Sequence, residues 1–152
     1  MPNSEAIYIE KLRNSGLRPT KQRIKICEIL FNREKTFHFS INELMKIIQT
    51  KTNQKISLAT VYNTVHAFKK KGHLKEINIG NDMSYFDTNT HSHHHFYDNE
   101  TKELADINSD YVQIKKTPTP PNGKKIMDIE VTFKISKEYL LYNHSKLLDI
   151  QF

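Results

Sequence analysis

The spacing of apolar residues along the first half of the chain predicts three amphipathic helices. PTKQRIKICEILF opens with a Pro-Thr pair that suits a helix start, and its apolar residues recur at helical intervals. SINELMKIIQT has Ser40 followed three positions later by Glu43, which is the pattern of a capping box. In SLATVYNTVHAFKKKGHL, Ser57 suits the N-terminal cap and Gly72 suits the residue after the end. Each helix is therefore predicted from its own local signals.

The third predicted helix has two unlike faces. One face is apolar and is expected to pack inward; it consists of Leu58, Val61, Val65 and Phe68. The other face is small at its start, hydrogen-bonding in its middle and cationic at its end; it comprises Ala59, Tyr62, Asn63, His66 and Lys70. A helix that enters the DNA major groove needs this layout. The alternative is a solvated surface helix, against which Tyr62 and Asn63 on the outer face argue.

The segment after the third helix, HLKEINIGNDMSYFD, predicts a β-hairpin around the turn Gly80-Asn81-Asp82. Three helices followed by a hairpin form a winged helix-turn-helix. Three cations before and within the first predicted helix are placed to hold the sugar-phosphate backbone. The DNA-binding residues predicted for this half are Arg18, Lys21, Arg23, Ser57, Ala59, Thr60, Tyr62, Asn63, Lys69 and Lys70.

Composition and pattern change after Phe86. HHHFYD, KELADI and KKIMDIEVTFKIS are rich in β-branched and aromatic residues and predict strands, whereas KKTPTPPNGKK predicts a loop. A small antiparallel sheet is marginal by itself, so we expect it to pair with a second chain in a homodimer. The predicted fold is α+β, with a winged-helix domain at 1–86 and a small α/β dimerisation domain at 87–152. The tail beyond Ser136 is expected to form a short amphipathic helix.

Composition and charge narrow the function. The chain has 152 residues, of which 37% are hydrophobic and 26% charged, as in a soluble globular protein. No apolar run approaches the ~20 residues of a membrane span, and the N-terminus lacks the apolar core of a secretion signal, so we expect a cytoplasmic protein with no membrane partner. The formal net charge of +6 is uneven, with +8 in residues 1–83 and −2 in residues 84–152. A basic first half indicates a polyanionic partner, although solubility alone is the alternative explanation.

Four histidines occur within HSHHHFY at residues 91–97. Side chains alternate along an extended segment, so His91, His93 and His95 would share one face, with His94 on the other. Imidazole is a good ligand for Fe, Mn, Zn or Cu at neutral pH, and carboxylates flank the run in sequence. The pattern therefore indicates a metal site, the alternative being a solvated histidine-rich loop.

The single cysteine, Cys27, excludes an intramolecular disulfide and a multi-cysteine zinc site. Cys27 shares a helical face with Ile24, Leu30 and Phe31, which favours a small buried residue. A reactive or haem-ligating thiol is the alternative. The following residue is Glu28, not the proline that usually follows a haem-regulatory cysteine.

Several motifs in order resemble the ferric uptake regulator superfamily: GLRPTKQRIKICEILF, SLATVYNTVHAFKKKGHL, DMSYFDTN and HHHFYDNETKELADI, over about residues 12–136. Together with PTPPNG, they are most similar to the iron response regulators of alphaproteobacteria. The resemblance implies a homodimer that binds A/T-rich palindromic operators on double-stranded DNA. It implies a divalent metal (Fe, Mn or Zn) held by His38, Asp87, His93, His95 and Asp106. It also implies haem binding at His93, His94 and His95.

The chain departs from the family pattern at two places. The structural zinc of the superfamily usually lies in C-x-x-C pairs, but Asp98 and Thr101 occupy the positions of the first pair, so no structural cysteine zinc site is expected. Ser92 and His94 stand where many relatives have ligands of a further metal site, which argues against that site.

Other classes of protein fit less well. The sequence has no nucleophile constellation, phosphate loop or H-E-x-x-H motif, which argues against an enzyme. A metal chaperone or storage module needs no major-groove helix. The predicted function is a DNA-binding regulator, mainly a repressor, of iron uptake and haem/iron homeostasis genes that responds to haem or a divalent metal. The alternatives are a peroxide- or manganese-responsive regulator of the same superfamily, or a metal-binding module.

Overall fold

Residues 4–80 and 82–137 are the part of the chain that this computed structural model describes, and they form four α-helices and six strands. The helices are α1 (Ser4–Asn14), α2 (Lys21–Phe31), α3 (Ile41–Lys51) and α4 (Leu58–Lys71). The strands are β1 (His38–Phe39), β2 (Lys75–Asn78), β3 (Ser84–Asp87), β4 (His94–Asp98), β5 (Leu104–Ile107) and β6 (Thr132–Ile135).

The chain divides into two units between His91 and Ser92. The sequence placed this boundary earlier, between residues 86 and 87. Asp87 is the last residue of β3 and pairs with His38 of β1 and Lys75 of β2. Its backbone is therefore part of the first sheet, which is why the first unit continues past residue 86.

The predicted caps of α3 and α4 are confirmed. The Ser40 hydroxyl accepts from the Glu43 N–H at 3.2 Å, and the Glu43 carboxylate accepts from the Ser40 N–H at 2.7 Å, which completes the capping box. The Ser57 hydroxyl accepts from the N–H of the third residue of α4 at 3.1 Å. Gly72 ends α4 in the left-handed conformation, with φ of 84°, and its N–H donates to the Lys69 carbonyl.

The core of the first unit collects one face of each helix. Its buried hydrophobic residues are Tyr8, Leu12, Ile26, Cys27, Ile29, Leu30, Phe39, Leu44, Ile48, Ile56, Val61, Val65, Phe68, Leu74 and Phe86. Two details differ from the sequence prediction. Helix α1 precedes the three helices that the sequence predicts; it buries Tyr8 and Leu12 alone of its eleven residues, so its apolar periodicity is weak. Leu58 is 54% exposed because it is the first residue of α4, and Thr64 is buried instead.

The first sheet has the strand order β1-β3-β2, and both pairs are antiparallel. β2 and β3 form the predicted hairpin, with Ile77 opposite Tyr85 and Asn78 opposite Ser84. The Asn78 side-chain oxygen accepts from the Gly80 N–H at 2.9 Å, which fixes the start of the turn. Four helices and this hairpin give the first unit the predicted winged-helix architecture.

The second unit contains a sheet in the order β5-β4-β6. β4 and β5 pair antiparallel, as predicted, whereas β4 and β6 pair parallel, so the sheet is mixed. Parallel neighbours need a long connection. Residues 99–131 supply it, and they include β5, a 3₁₀ turn at Ser109–Tyr111 and the Pro-rich segment. The α+β class is confirmed, and the sequence could not distinguish the direction of β6.

Within the described residues, no helix has both the length and the hydropathy that a membrane span requires. The helix predicted beyond Ser136 lies almost wholly outside the described part of the chain, so that prediction has no structural counterpart.

Candidate metal centre and nucleic-acid interface

The outer face of α4 carries the side chains that the sequence assigned to base recognition. Tyr62 is 51% exposed, and its ring lies beside the His66 ring with 4.1 Å between centroids. Ala59 and Asn63 are exposed on the same face. The opposite face of α4 lies in the core described above. The first unit therefore presents an aromatic and polar helix face to solvent, as a major-groove helix must.

The N-terminal end of α4 is fixed by its own hydrogen bonds. The Ser57 hydroxyl accepts from the Thr60 N–H, and its oxygen lies 3.0 Å from Thr60 Oγ1. Ser57 is exposed and Thr60 half-buried. Ser57, one of the predicted DNA-binding residues, thus acts in this structure as the N-terminal cap of α4.

The predicted phosphate-binding cations differ in how freely they present their charge. Arg18 and Lys21 are exposed, whereas Arg23 is half-buried and donates from Nη1 to the Arg18 carbonyl at 2.9 Å. Lys69 forms an ion pair with Glu76 of β2, and this hydrogen bond holds the pKa of the Glu76 carboxyl below its usual value. The positive charge of Lys69 is therefore partly neutralised by the Glu76 carboxylate.

Lys70, the remaining predicted cation, is exposed at the C-terminal end of α4. Within the described part of the chain, no ion pair or hydrogen bond engages its ammonium group, in contrast to that of Lys69. Lysine at such a position can contact phosphate through its compact charge.

Two of the predicted metal ligands lie in the first unit. His38 and Asp87 are directly opposite each other in the β1–β3 pair, and His38 Nε2 lies 3.1 Å from Asp87 Oδ2. The Asp87 side chain is fully buried, and its Oδ1 accepts from the Asn89 N–H at 2.7 Å. A buried carboxylate is costly unless it is paired and hydrogen-bonded. The antiparallel register thus brings an imidazole and a carboxylate together within one unit.

The other three predicted ligands lie in the second unit. His95 of β4 is directly opposite Asp106 of β5. His93 Nε2 and His95 Nε2 lie 3.3 and 3.5 Å from the same oxygen, Asp106 Oδ1. The two imidazole rings have 4.4 Å between centroids and are buried, while the Asp106 side chain is 30% exposed. Strand alternation, as predicted, puts both rings on the face that Asp106 shares.

His94 has a different environment from its neighbours. It is buried, and its Nδ1 accepts from the Val131 N–H at 3.1 Å. As the residue between His93 and His95 on the chain, it lies on the opposite face of the extended segment. The three residues predicted to bind haem therefore do not present their rings on one surface.

The donor atoms have the chemistry and spacing that a divalent ion needs. Zinc ligands at ~2.0–2.1 Å in tetrahedral geometry lie about 3.4 Å from one another. The nitrogen–oxygen separations of 3.1 Å in the first unit and of 3.3 and 3.5 Å in the second are close to that value. Imidazole and carboxylate together suit Fe, Mn and Zn. Among the described residues, the first unit offers two such donors and the second three.

The single cysteine, Cys27, is not among the candidate metal donors. Cys27 is fully buried in the core, and burial raises the pKa of its thiol to about 12. A thiol needs to ionise in order to bind metal or attack an oxidant. The expectation of a small buried residue is confirmed, and the alternative of a reactive thiol is wrong.

Asp98 and Thr101 show what occupies the positions of the first C-x-x-C pair. Asp98 Oδ1 accepts from the N–H groups of Glu100 and Thr101 at 2.8 and 3.2 Å. These bonds lower the pKa of the Asp98 carboxyl. A side-chain cap thus closes the β4–β5 turn at the two positions where the resemblance led us to look for a C-x-x-C pair.

Sequence reasoning missed one residue of this region. Glu130 Oε1 lies 3.2 Å from His95 Nδ1, the ring nitrogen on the side away from Asp106. Glu130 precedes β6, and only the parallel pairing of β6 with β4 brings it next to His95. The sequence contains no local signal for that pairing.

Comparisons with known proteins identify relatives of this chain. The profile described as "Ferric uptake regulator family" matches residues 14–134. The peroxide-responsive repressor PerR of Staphylococcus epidermidis is 34% identical over 124 residues, which are 82% of this chain and 78% of that protein. PerR of Staphylococcus aureus strain Mu50 is 34% identical over 99 residues, which are 65% of each chain.

Solved structures share the fold. The ferric uptake regulator of Pseudomonas aeruginosa with manganese has a TM-score of 0.62 at 21% identity, over 87% of this chain and 98% of that one. The Vibrio cholerae ferric uptake regulator has a TM-score of 0.63 at 22% identity, over 85% and 98%. The superfamily resemblance is confirmed, while the iron response regulator branch stays a prediction. The chain belongs to the ferric uptake regulator family, whose members are metal-responsive, dimeric DNA-binding transcription regulators and not enzymes.

Proposed function

We propose that the chain is a homodimeric repressor that binds an A/T-rich palindromic operator through α4 and changes its affinity for that operator when a divalent metal binds. One observation carries the proposal. In a member of this family, an exposed aromatic and polar helix face occurs together with imidazole–carboxylate pairs whose donor atoms are 3.1–3.5 Å apart. The first feature suits base edges, and the second suits an ion.

DNA binding draws its support from the first unit. Tyr62 and Asn63 are in position to contact base edges, while Arg18, Lys21 and Lys70 are exposed cations for the phosphates. Charge supports the same assignment, since residues 1–83 carry the positive excess of the chain. Because of the Glu76 ion pair, Lys69 is expected to contribute less than Lys70.

The metal proposal is that one ion takes ligands from both units, namely His38, Asp87, His93, His95 and Asp106. The first unit offers two donors and the second three, and neither number reaches the four ligands that zinc normally takes. Mn and Fe take more ligands than zinc. Only six positions separate Asp87 from His93 in the sequence, so the chain between them spans at most about 21 Å. An ion bound in this way would couple metal occupancy to the geometry of the DNA-binding unit.

Dimer formation draws its support from the second unit. Phe96 and Phe133 lie on neighbouring strands with 5.7 Å between ring centroids, and both are exposed. Together with Tyr111 and Val112 they border an apolar groove of about 390 Å³. Exposed apolar surface of this kind is typical of an interface, and family members are dimers. We assign this surface to a second copy of the chain.

The proposal also names the molecule to which the regulator responds. The relatives at 34% identity are named peroxide-responsive repressors. In this chain a peroxide response would have to act at the metal, because the only cysteine is buried and its thiol pKa is raised to about 12. A ferrous ion held by these residues would itself be oxidised to the ferric state as it gave an electron to peroxide, whereas zinc has no such electron to give and manganese gives one far less readily. We therefore propose an iron-loaded regulator whose DNA binding is lost on exposure to peroxide.

Control of iron and haem genes is the second candidate, which the resemblance to iron response regulators implies. A response to ferrous iron itself uses the same five ligands. A haem response through His93, His94 and His95 has less support, since His94 lies on the other face of the segment and accepts a hydrogen bond from Val131. We therefore rank the metal ion above haem as the signal.

DNA binding by purified protein tests the core of the proposal. Operators are first selected from random duplexes, and affinity for them is then measured against scrambled duplexes with and without Mn²⁺ at several salt concentrations. We expect specific, salt-dependent binding that Mn²⁺ strengthens in the wild type but not in a His93→Ala/His95→Ala variant. Equal affinity for all duplexes, with and without metal, would rule the proposal out. Light scattering on the same samples should give the mass of a dimer.

The signal is tested with the selected operator. Protein loaded with Fe²⁺ or with Mn²⁺ is exposed to hydrogen peroxide, and the bound fraction is followed. We expect release from the Fe²⁺ form only, and the same release from a Cys27→Ala control. Release by haem in metal-free protein, abolished by replacing His93, His94 and His95 together, would support the second candidate instead.

A further inference from the structure

The buried His95 ring has a carboxylate at each of its two nitrogens. Asp106 Oδ1 lies 3.5 Å from Nε2, and Glu130 Oε1 lies 3.2 Å from Nδ1. The His95 side chain is fully buried, and the Glu130 side chain is 23% exposed, with its Oε1 atom buried against the ring. The metal proposal uses Asp106 and leaves Glu130 without a role.

The mixed sheet positions these two carboxylates. β4 is the central strand, with β5 and β6 as its neighbours. Asp106 is directly opposite His95 in β5, and Thr132 is directly opposite it in β6. The His95 N–H donates to the Val131 carbonyl at 3.0 Å, which fixes the segment that carries Glu130. Backbone pairing on both sides therefore holds the ring between the two acidic side chains.

A neutral imidazole has one N–H group and one lone pair, and the hydrogen bond made by one nitrogen decides which form is present. At 3.2 Å from Nδ1, the Glu130 carboxylate is close enough to accept an N–H from that nitrogen, which would leave the lone pair on Nε2. Nε2 is the nitrogen that faces Asp106 and, through that oxygen, lies near His93 Nε2. Carboxylates in this relation to a histidine ligand fix the ring orientation and raise its basicity.

We propose that Glu130 is a positioning residue that holds His95 in the Nδ1–H form, with Nε2 directed at the metal ion. The inference rests on the proposed metal site and adds a residue to it that binds no metal itself. The neighbouring carboxylate does not have this role. Asp128 accepts from the Ser92 hydroxyl at 2.9 Å and from the Ile129 N–H at 2.9 Å.

Two variants of Glu130 separate positioning from a merely structural contribution. Glu130→Ala removes the acceptor, and Glu130→Gln keeps an acceptor oxygen without the charge. Glu103→Ala is the matched control, because Glu103 is an exposed glutamate of the same unit. Zn²⁺ affinity of the full chain is measured by competition with a chelator. The His95 tautomer in the Zn²⁺-loaded protein is read from long-range ¹⁵N–¹H NMR correlations, and the melting temperature of the metal-free protein is recorded.

We expect Glu130→Ala to weaken Zn²⁺ binding about 10- to 100-fold and to broaden or change the His95 pattern. Glu130→Gln should recover part of the affinity, and Glu103→Ala should match the wild type. If Glu130→Ala binds Zn²⁺ as tightly as the wild type with the same His95 tautomer, the inference is wrong even if the metal-free protein melts lower. If the wild type binds no Zn²⁺, the proposed metal site fails and this inference fails with it.

Discussion

Replacing one histidine in each unit tests whether a single ion serves both. His38→Ala removes a donor from the first unit, and His93→Ala removes one from the second. If the two units share the ion, either change should reduce the stabilisation that metal gives to the whole protein. If the ion binds to the second unit alone, only His93→Ala should do so.

The size of the effect follows from ligand linkage. Metal at 100 times its dissociation constant stabilises the folded wild type by about 2.7 kcal/mol. A variant that binds 100-fold more weakly keeps only about 0.4 kcal/mol at the same concentration. For a chain of this size, the difference of about 2.3 kcal/mol means that metal raises the melting temperature of the variant by roughly 5–9 °C less than that of the wild type.

The structure dictates how this comparison is made. Asp87 is fully buried against His38, so His38→Ala also destabilises the metal-free protein by leaving a buried carboxylate without that imidazole. The quantity to compare is therefore the rise caused by metal within each variant, measured by scanning calorimetry with Zn²⁺ and with a chelator. His91→Ala is the control, because His91 belongs to the same histidine run and is exposed. A full metal-induced rise in His38→Ala would refute the shared ion.

Three further predictions concern single side chains. Tyr62→Ala should weaken binding to the selected operator by ~1–3 kcal/mol and leave non-specific binding unchanged, as measured by fluorescence anisotropy; equal losses would make Tyr62 a backbone contact only. Cys27 should resist a thiol reagent in the folded protein and react once the protein is unfolded, because its thiol pKa is raised to about 12; fast reaction in the folded state would contradict the burial argument. The pKa of Asp98 is lowered by two backbone N–H groups, so the stability it adds is present above the ordinary pKa of 3.8 and lost as the pH falls through its lower folded value. The melting temperatures of the wild type and Asp98→Ala should therefore converge in acid, and a constant difference would exclude this cause.

Local signals made much of the first unit predictable. Ser40 with Glu43, and Ser57 with Gly72, mark the ends of α3 and α4 through bonds that span a few residues, and the hairpin has its turn residues between two short strands. Helix α1 was missed because it buries only Tyr8 and Leu12 and so has little apolar periodicity. Apolar periodicity predicts a helix only where the helix buries a continuous apolar face. The apolar face of α1 is too narrow to give that periodicity.

The second unit was harder because its decisive contacts are distant in sequence. The parallel pairing of β6 with β4 joins segments separated by more than thirty residues. The Pro-rich sequence of the connection does not predict which strand β6 pairs with. Glu130 reaches His95 only through that pairing. The resemblance supplied the predicted metal ligands, and the β1–β3 and β4–β5 registers then place His38 beside Asp87 and His95 beside Asp106.

The histidine run shows how far composition alone reaches. Alternation along an extended segment predicts that His94 lies on the other face from His93 and His95, but the contacts of each ring are set by the strand beside it. β5 brings a carboxylate to His93 and His95, whereas the segment before β6 brings a backbone N–H to His94. An ion needs only the donors that His93, His95 and Asp106 bring together, whereas the described contact of the His94 ring is with a backbone N–H, so we expect a metal ion rather than haem as the ligand.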